Sequence, residues 1–216
     1  MKAFLLKSGG GVLALGLLAG CATKPYDYTN LRAHPPRSIL VLPPLNETTA
    51  VEGTYGYLST ATQPLAELGY YVFPVAVMDH FFKENGMPNP AEMHQAPLDK
   101  IREIVGADSV LYLTLKQYGT KYVILSSVTT VDVHARLVDV RTGTLLWEGR
   151  GVAQQGSGSS GNIIADMVAA VVEQVVSTST DQAHNVSRLA NVQLFLPQGR
   201  GLLTGPHHPK FVADKP

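Results

Sequence analysis

The sequence predicts an α/β fold: a layered sandwich with a mixed central sheet, built from βαβ-type units followed by an antiparallel hairpin and flanked by helices. Three observations predict it. Ile39-Leu40-Val41-Leu42 is a continuous apolar run closed by Pro43-Pro44, which suits a strand buried on both faces and so requires a layer on each side. Strand-like and helix-like segments then alternate as far as Leu115, as they do in βαβ units. Finally, Val131, Val133, Ala135 and Leu137 alternate with Asp132, His134 and Arg136, the period of a sheet with one wetter face.

After the first strand, Leu58, Ala61, Thr62, Leu65 and Leu68 fall at helical spacing, and Gly69 suits the position just past a helix end. Pro64 opposes this helix, because a proline in mid-helix removes a hydrogen bond and kinks the element. Tyr70-Tyr71-Val72-Phe73 with Val75 and Val77 reads as a second strand, followed by a short helix around Met78–Lys83 and a loop rich in Pro, Asn and Gly through Pro97. Pro97 in a first turn, Leu98, Ile101 and Val105 on one face, and Gly106 as the stop predict the next helix. Ser109–Leu115 is a largely apolar strand. Arg141-Thr142-Gly143 supplies a turn, and Thr144-Leu145-Leu146-Trp147-Glu148 begins the returning strand, with Trp147 suited to core or interface.

A last helix is expected from about Asn162 to Thr180, its apolar residues paired four apart as Ile163/Ile164, Met167/Val168, Val171/Val172 and Val175/Val176. Asp166 and Glu173 oppose a membrane-spanning reading of it. That face is wider than one sheet covers, so a homo-oligomer is expected; a deep monomer core capped by the tail fits the pattern equally. The domain is placed at residues 38–196, and the Gly/Pro/His-rich residues 197–216 read as a tail.

The amino terminus reads as an address. Lys2 and Lys7 precede an apolar run of eight residues, Val12 to Ala19, far short of the about 20 that span a bilayer. This is the pattern of a signal peptide, residues 1–20. Its end, Leu18-Ala19-Gly20-Cys21, resembles the lipobox of bacterial lipoproteins, in which the cysteine sulfur takes a diacylglycerol. The chain's single cysteine stands at that position, which also excludes an intramolecular disulfide and a Cys-based metal cluster. The resemblance implies cleavage before Cys21 and an anchor of two or more acyl chains, enough for stable membrane attachment without a transmembrane helix. Ala22 after the cysteine, where Asp would retain a lipoprotein at the inner membrane, implies the outer membrane. Residues 21–37 carry Pro25, Pro35 and Pro36 without apolar periodicity and read as an acylated tether; its two tyrosines, Tyr26 and Tyr28, could sit at the headgroups, but two tyrosines in a linker are more often unremarkable.

Composition excludes other classes. The 216 residues carry 17 basic and 17 acidic side chains, so no nucleic-acid partner is indicated; without Lys2 and Lys7 the mature chain is slightly acidic. At 45% apolar and 16% charged it can build a core and need not be disordered. Gly156-Ser157-Gly158-Ser159-Ser160-Gly161 matches a dinucleotide fingerprint, but the strand before it belongs to a hairpin and Asp181 falls at a helix end, so a flexible connector explains it better. Gly158-Ser159-Ser160-Gly161-Asn162 misses the nucleophile elbow at its last position. His207-His208 are adjacent and cannot share one helical face as zinc ligands do; His134 reads as a sheet-face residue, and Asn46-Glu47-Thr48 as a chance glycosylation tripeptide. No catalytic, metal-binding or cofactor-binding residue is assigned.

Arg37-Ser38-Ile39-Leu40-Val41-Leu42-Pro43-Pro44-Leu45-Asn46, Leu68-Gly69-Tyr70-Tyr71-Val72-Phe73-Pro74, Gly106-Ala107-Asp108-Ser109-Val110-Leu111-Tyr112 and Val138-Asp139-Val140-Arg141-Thr142-Gly143-Thr144-Leu145-Leu146-Trp147 together resemble a family of Gram-negative lipoproteins with no assigned activity. The order of elements is also similar to the periplasmic domain of the curli-secretion lipoprotein and to the amino-terminal domain of the Tol-system protein TolB. The hairpins with which the curli lipoprotein builds a pore have no counterpart here, since the alternating segments are all used by the core hairpin. The resemblance implies a non-enzymatic outer-membrane lipoprotein facing the periplasm, an assembly or docking component of an envelope transport or secretion system, with other envelope lipoproteins as partners beside the membrane itself. The alternative is a periplasmic ligand-binding or sensing lipoprotein with a pocket at the strand carboxyl ends.

Overall fold

The computed structural model describes residues 25–123, 126–156 and 182–211. In chain order its elements are α1 (Thr29–Ala33), β1 (Ser38–Val41), β2 (Leu45–Asn46), α2 (Gly53–Glu67), β3 (Tyr71–Val72), α3 (Val75–Glu84), α4 (Pro90–Met93), α5 (Leu98–Lys100, running on as a π-helical turn through Ile101–Val105), β4 (Ser109–Val123), β5 (Ser126–Asp139), β6 (Leu145–Gly156) and α6 (Gln182–Phe195). The strands form one open mixed sheet in the order β3-β1-β4-β5-β6. β1 runs parallel to β3 and to β4, with Leu40 beside Val110, whereas β4, β5 and β6 are antiparallel, with Leu111 beside Leu137 and Ala135 beside Gly149. Pro43 and Pro44 have no N–H to give the ladder, so β1 ends before them and the chain resumes pairing as β2, opposite Thr114 and Leu115 of β4.

The two-sided burial expected of the first strand is present: Ile39, Leu40, Val41 and Leu42 are each at most 1% exposed. Ile39 and Val41 join the larger core with Leu111, Leu113 and Leu115 of β4, Tyr57, Leu58, Ala61 and Leu65 of α2, and Val186, Ala190 and Leu194 of α6. Leu40 and Leu42 face the second core, formed with Val110, Phe82, Met93 and Ile101 from α3, α4 and α5. Each such side chain contributes about 1.5–3 kcal/mol. The fold is thus the predicted layered sandwich, with Gly69 and Gly106 just past α2 and α5 at φ of 86° and 75°.

Pro64 does lie inside α2. The hydrogen bond it withholds would have ended on the carbonyl of Thr60, and that carbonyl instead accepts from Asn191 Nδ2 of α6 at 3.0 Å. The same amide nitrogen donates to Thr60 Oγ1 at 2.9 Å, and the Tyr57 hydroxyl donates to Asn191 Oδ1. All three residues are buried, so the helix defect has become a polar joint between two helices.

Several expectations need correction. The tether reading of residues 21–37 fails from Tyr26 onward: α1 packs Leu31, 3% exposed, into the larger core. The tail reading of residues 197–216 fails as far as Phe211. Gly201 and Gly205 are buried, Leu202 joins the larger core, and the Tyr70 hydroxyl donates to the Leu203 carbonyl at 2.7 Å. The second strand is only Tyr71–Val72, because Pro74 turns the chain and Val75 and Val77 enter α3. The strand at Ser109–Leu115 continues to Val123 past a bulge at Lys116. The helix expected over Asn162–Thr180, on which self-association rested, lies outside the described residues, as do Ser157–Gly161 of the glycine-rich motif; α6 begins after it and was not foreseen. Trp147 is fully buried in the core, stacked on Phe195 with ring centroids 5.8 Å apart.

Candidate functional site

Cys21, the residue for which the sequence predicts lipidation, lies outside the described residues, but from Tyr26 onward the chain is docked on the domain. Tyr26 and Tyr28 sit 4.7 Å apart. The Tyr26 hydroxyl accepts from the backbone N–H of Glu148 on β6 at 2.8 Å, and the Tyr28 hydroxyl donates to the Gly201 carbonyl at 2.6 Å. Asn30 Nδ2 donates to the Leu145 carbonyl at 3.0 Å. The bonds to Glu148 and Leu145 are edge groups of β6 that would otherwise face water, so α1 covers the start of that edge. Burial pushes both phenols above their usual range, which keeps them neutral. The sequence places these tyrosines in a linker; the signal for docking is two aromatics and Leu31 in a segment otherwise poor in apolar residues.

The far half of the sheet is built differently. Beyond Leu115, β4 has β5 as its only strand neighbour, paired as far as Val123 beside Ser126; β6 pairs with β5 up to Gly156 and has no strand on its outer side among the described residues. Among the described residues, β4, β5 and β6 therefore extend as a ribbon with no further strand on either side. The face of this ribbon away from α6 carries Asp132, His134 and Arg136 of β5, as the alternation required. Asp132 is 4% exposed and accepts two bonds from the Arg150 guanidinium, at 2.9 and 2.7 Å, while His134 Nε2 stands 3.7 Å from it. The carboxylate is satisfied by a structural fork rather than held open for a ligand.

Other features read as local structure. Asn46 Oδ1 accepts from the N–H and hydroxyl of Thr48, and its Nδ2 donates to the Ala50 carbonyl, so Asn46-Glu47-Thr48 is a turn. His207 is tied through its backbone N–H to the Gly69 carbonyl at 3.0 Å. A cleft of about 570 Å³ lies beside β3, lined by Thr62, Gln63, Tyr71, Phe73 and Val75 among others, at a sheet edge. Among the described residues no group of three or more His, Cys, Asp or Glu is placed to hold a metal ion.

Compared with known proteins, residues 26–207 match the family described as "Putative lipoprotein GNA1162-like". The chain belongs to the GNA1162-like lipoproteins. It is 43% identical over 211 residues to "Putative lipoprotein NMB1124/NMB1162" of Neisseria meningitidis serogroup B, covering 95% of this chain and 97% of that one. The crystal structure of lipoprotein GNA1162 from Neisseria meningitidis superposes with a TM-score of 0.56 at 50% identity, covering 66% of this chain and 100% of that chain. The PelC dodecamer from Paraburkholderia phytofirmans aligns with 73% of this chain and 87% of its own at 17% identity and a TM-score of 0.43, too slight a likeness to bear on function.

The bounds of the GNA1162-like match agree with the packing: it begins at Tyr26, where the chain docks, and ends at His207, inside the ordered tail. No helix among the described residues of this lipoprotein is long and apolar enough to cross a membrane. The Asp-x-Arg-Thr-Gly turn that carried the resemblance has a physical basis here. Asp139, 1% exposed, accepts from the N–H groups of Arg141 and Thr142 at 2.7 and 3.1 Å and from the Arg141 guanidinium at 3.2 Å. Burial by itself raises its pKa, but these opposing bonds outweigh burial and leave the carboxyl below its usual range. A carboxyl depressed in the folded state stabilises fully above its unfolded pKa, about 3.9, and loses that contribution as pH falls through the lower folded value. Asp139→Asn is expected to lower the thermal midpoint at pH 7 and to flatten the loss of stability below about pH 4; parallel melting curves at pH 7 and pH 3 check it.

Proposed function

We propose that this GNA1162-like lipoprotein is held in the outer membrane through acylated Cys21, faces the periplasm, and acts there as a non-enzymatic docking component of an envelope assembly. The observation that carries the docking part is the β4-β5-β6 ribbon, whose edges at Gln117–Val123 on β4 and Arg150–Gly156 on β6 have no strand partner on their outer sides among the described residues. A free strand edge offers a row of backbone donors and acceptors to any chain that can lie alongside it. These edges replace the expected wide helix face as the ground for self-association or for pairing with another envelope protein. Photoreactive residues at Lys121 and Gln154, both exposed, should crosslink in intact cells, whereas the same residue at exposed Lys100 on α5 should not. Adducts to a second copy or to another envelope protein support docking; equal labelling at Lys100, or none at either edge, overturns it.

The anchor is supported by the Leu18-Ala19-Gly20-Cys21 sequence and by the lipoprotein family of the chain. Cys21→Ser, or inhibition of the lipoprotein signal peptidase with globomycin, is expected to abolish lipid labelling and to leave unprocessed or unanchored chain. Unchanged lipid labelling of Cys21→Ser would remove the proposed site. The second reading, a ligand-binding lipoprotein, has the cleft beside β3 in its favour. Its lining is aromatic and aliphatic with two neutral polar residues and no charged side chain, so its ligand would be uncharged and apolar.

A further inference from the structure

The docked N-terminal segment fixes how close the domain stands to the bilayer. Five residue steps separate Cys21 from Tyr26, a reach of about 18 Å at full extension, whereas a free tether to residue 37 would allow roughly 50 Å. Tyr26 is bonded to Glu148, which lies opposite Arg136 and hence level with Tyr112 of β4. From that level β4 continues eleven residues to Val123, about 36 Å. Tyr26 thus docks at one end of the sheet, and the Val123–Ser126 pair lies at the other.

The entry end also has the chemistry of a headgroup-facing surface. Arg200 lies close enough to act electrostatically on both phenols, and Arg32 on Tyr28, beside the acidic Glu148 and Asp27, which act on Tyr26. Leu196, 45% exposed, follows α6 at the same end, where Phe195 stacks on Trp147. Part-buried tyrosines, cations and a lone exposed leucine are the residue types that settle at a bilayer interface. The far part of the β6 edge carries Val152 and Gln154 and no cation beyond Arg150, which is already engaged by Asp132.

We infer that the end bearing Tyr26, Tyr28, Arg32, Leu196 and Arg200 lies against the lipid headgroups, so that the domain stands upright with the β4–β5 hairpin directed away from the membrane. This rests on the Cys21 anchor proposed above. It places the two ribbon edges that lack a strand partner among the described residues where another protein can reach them without displacing lipid.

The test uses the full acylated chain in phosphatidylethanolamine–phosphatidylglycerol vesicles that contain a headgroup nitroxide lipid. Single cysteines at the exposed positions Gln198, Gln154 and Lys121 carry a thiol-reactive fluorophore. An acylated Cys21 takes no label, so the parent protein is the control. Quenching severalfold stronger at Gln198→Cys than at Gln154→Cys or Lys121→Cys is expected. Equal or stronger quenching at Gln154→Cys would mean that the molecule lies on its β6 edge, and at Lys121→Cys that it is inverted; either overturns the orientation. A vesicle-bound protein quenched at none of the three overturns membrane contact by the entry end. If instead the parent takes label and fails to float with vesicles, the anchor itself is wrong, and that outcome is distinct from the other three.

Discussion

Gly151→Val in the soluble chain lacking residues 1–21 is expected to lower unfolding free energy by about 3 kcal/mol, read as a shift of the denaturant midpoint at unchanged slope. The reason is the distance at which α6 crosses β6. A Cβ at Gly151 would lie 2.2 Å from the Ala190 carbonyl oxygen and 2.8 Å from the Leu194 side chain. The nearest obstacle is helix backbone, which cannot rotate aside as a side-chain tip can, so α6 must move off the sheet. That movement would loosen Leu194, Phe195 and, through the stack, Trp147, whose Nε1 donates to the Arg200 carbonyl at 3.0 Å. Gly86→Val is the control: it lies in a turn with open space around it, and its destabilisation should come from its positive φ alone. A midpoint for Gly151→Val equal to wild type would show that α6 does not pack on this face.

Asn191→Leu should cost a similar amount, about 3 kcal/mol, for a different reason. It keeps the branching of the side chain but leaves the Tyr57 hydroxyl and the Thr60 carbonyl without their partner inside the core, at about 1–3 kcal/mol for each unsatisfied group. The informative variant is the pair with Pro64→Ala. An alanine at 64 restores an N–H that can donate to the Thr60 carbonyl, the acceptor that Asn191 serves in the native chain. Pro64→Ala is therefore expected to raise stability more in the Asn191→Leu background than in the native one, by about 1 kcal/mol or more of coupling in a double-mutant cycle. Strict additivity would mean that proline and asparagine are not compensating for each other.

These two sites show where sequence reading stopped. Leu58, Ala61 and Leu65 disclosed α2 through their spacing, and Pro64 disclosed a local conflict, but its resolution required a residue 127 positions away. Gly149 and Gly151 interrupt the alternation of β6 with nothing in the local pattern to say that a helix lies against them. α6 itself has a weak pattern: Val186, Ala190 and Leu194 recur at intervals of four, but Ser187 and Asn191 share the buried face and dilute the apolar stripe. The stronger pairs in residues 163–176 drew the helix expectation to themselves. In the same way, three prolines made residues 21–37 read as a tether, although Leu31 and the two tyrosines carry the docking.

The amino-acid sequence by itself determined the α/β class, the doubly buried β1 and the β5–β6 hairpin with its Asp139 turn, and it carries the lipobox-like segment on which the proposed anchor at Cys21 rests. Those features rest on interactions within a few residues, where period, turn chemistry and targeting signals are written locally. Only the tertiary structure decided that residues 26–37 and 197–211 belong to the domain. Tyr28 meets Gly201 across 173 positions and Tyr70 meets Leu203 across 133, contacts in which the receiving group is a backbone carbonyl that any residue could present. A backbone acceptor leaves no mark in composition or period, so its position becomes known only when the fold brings it within hydrogen-bonding distance.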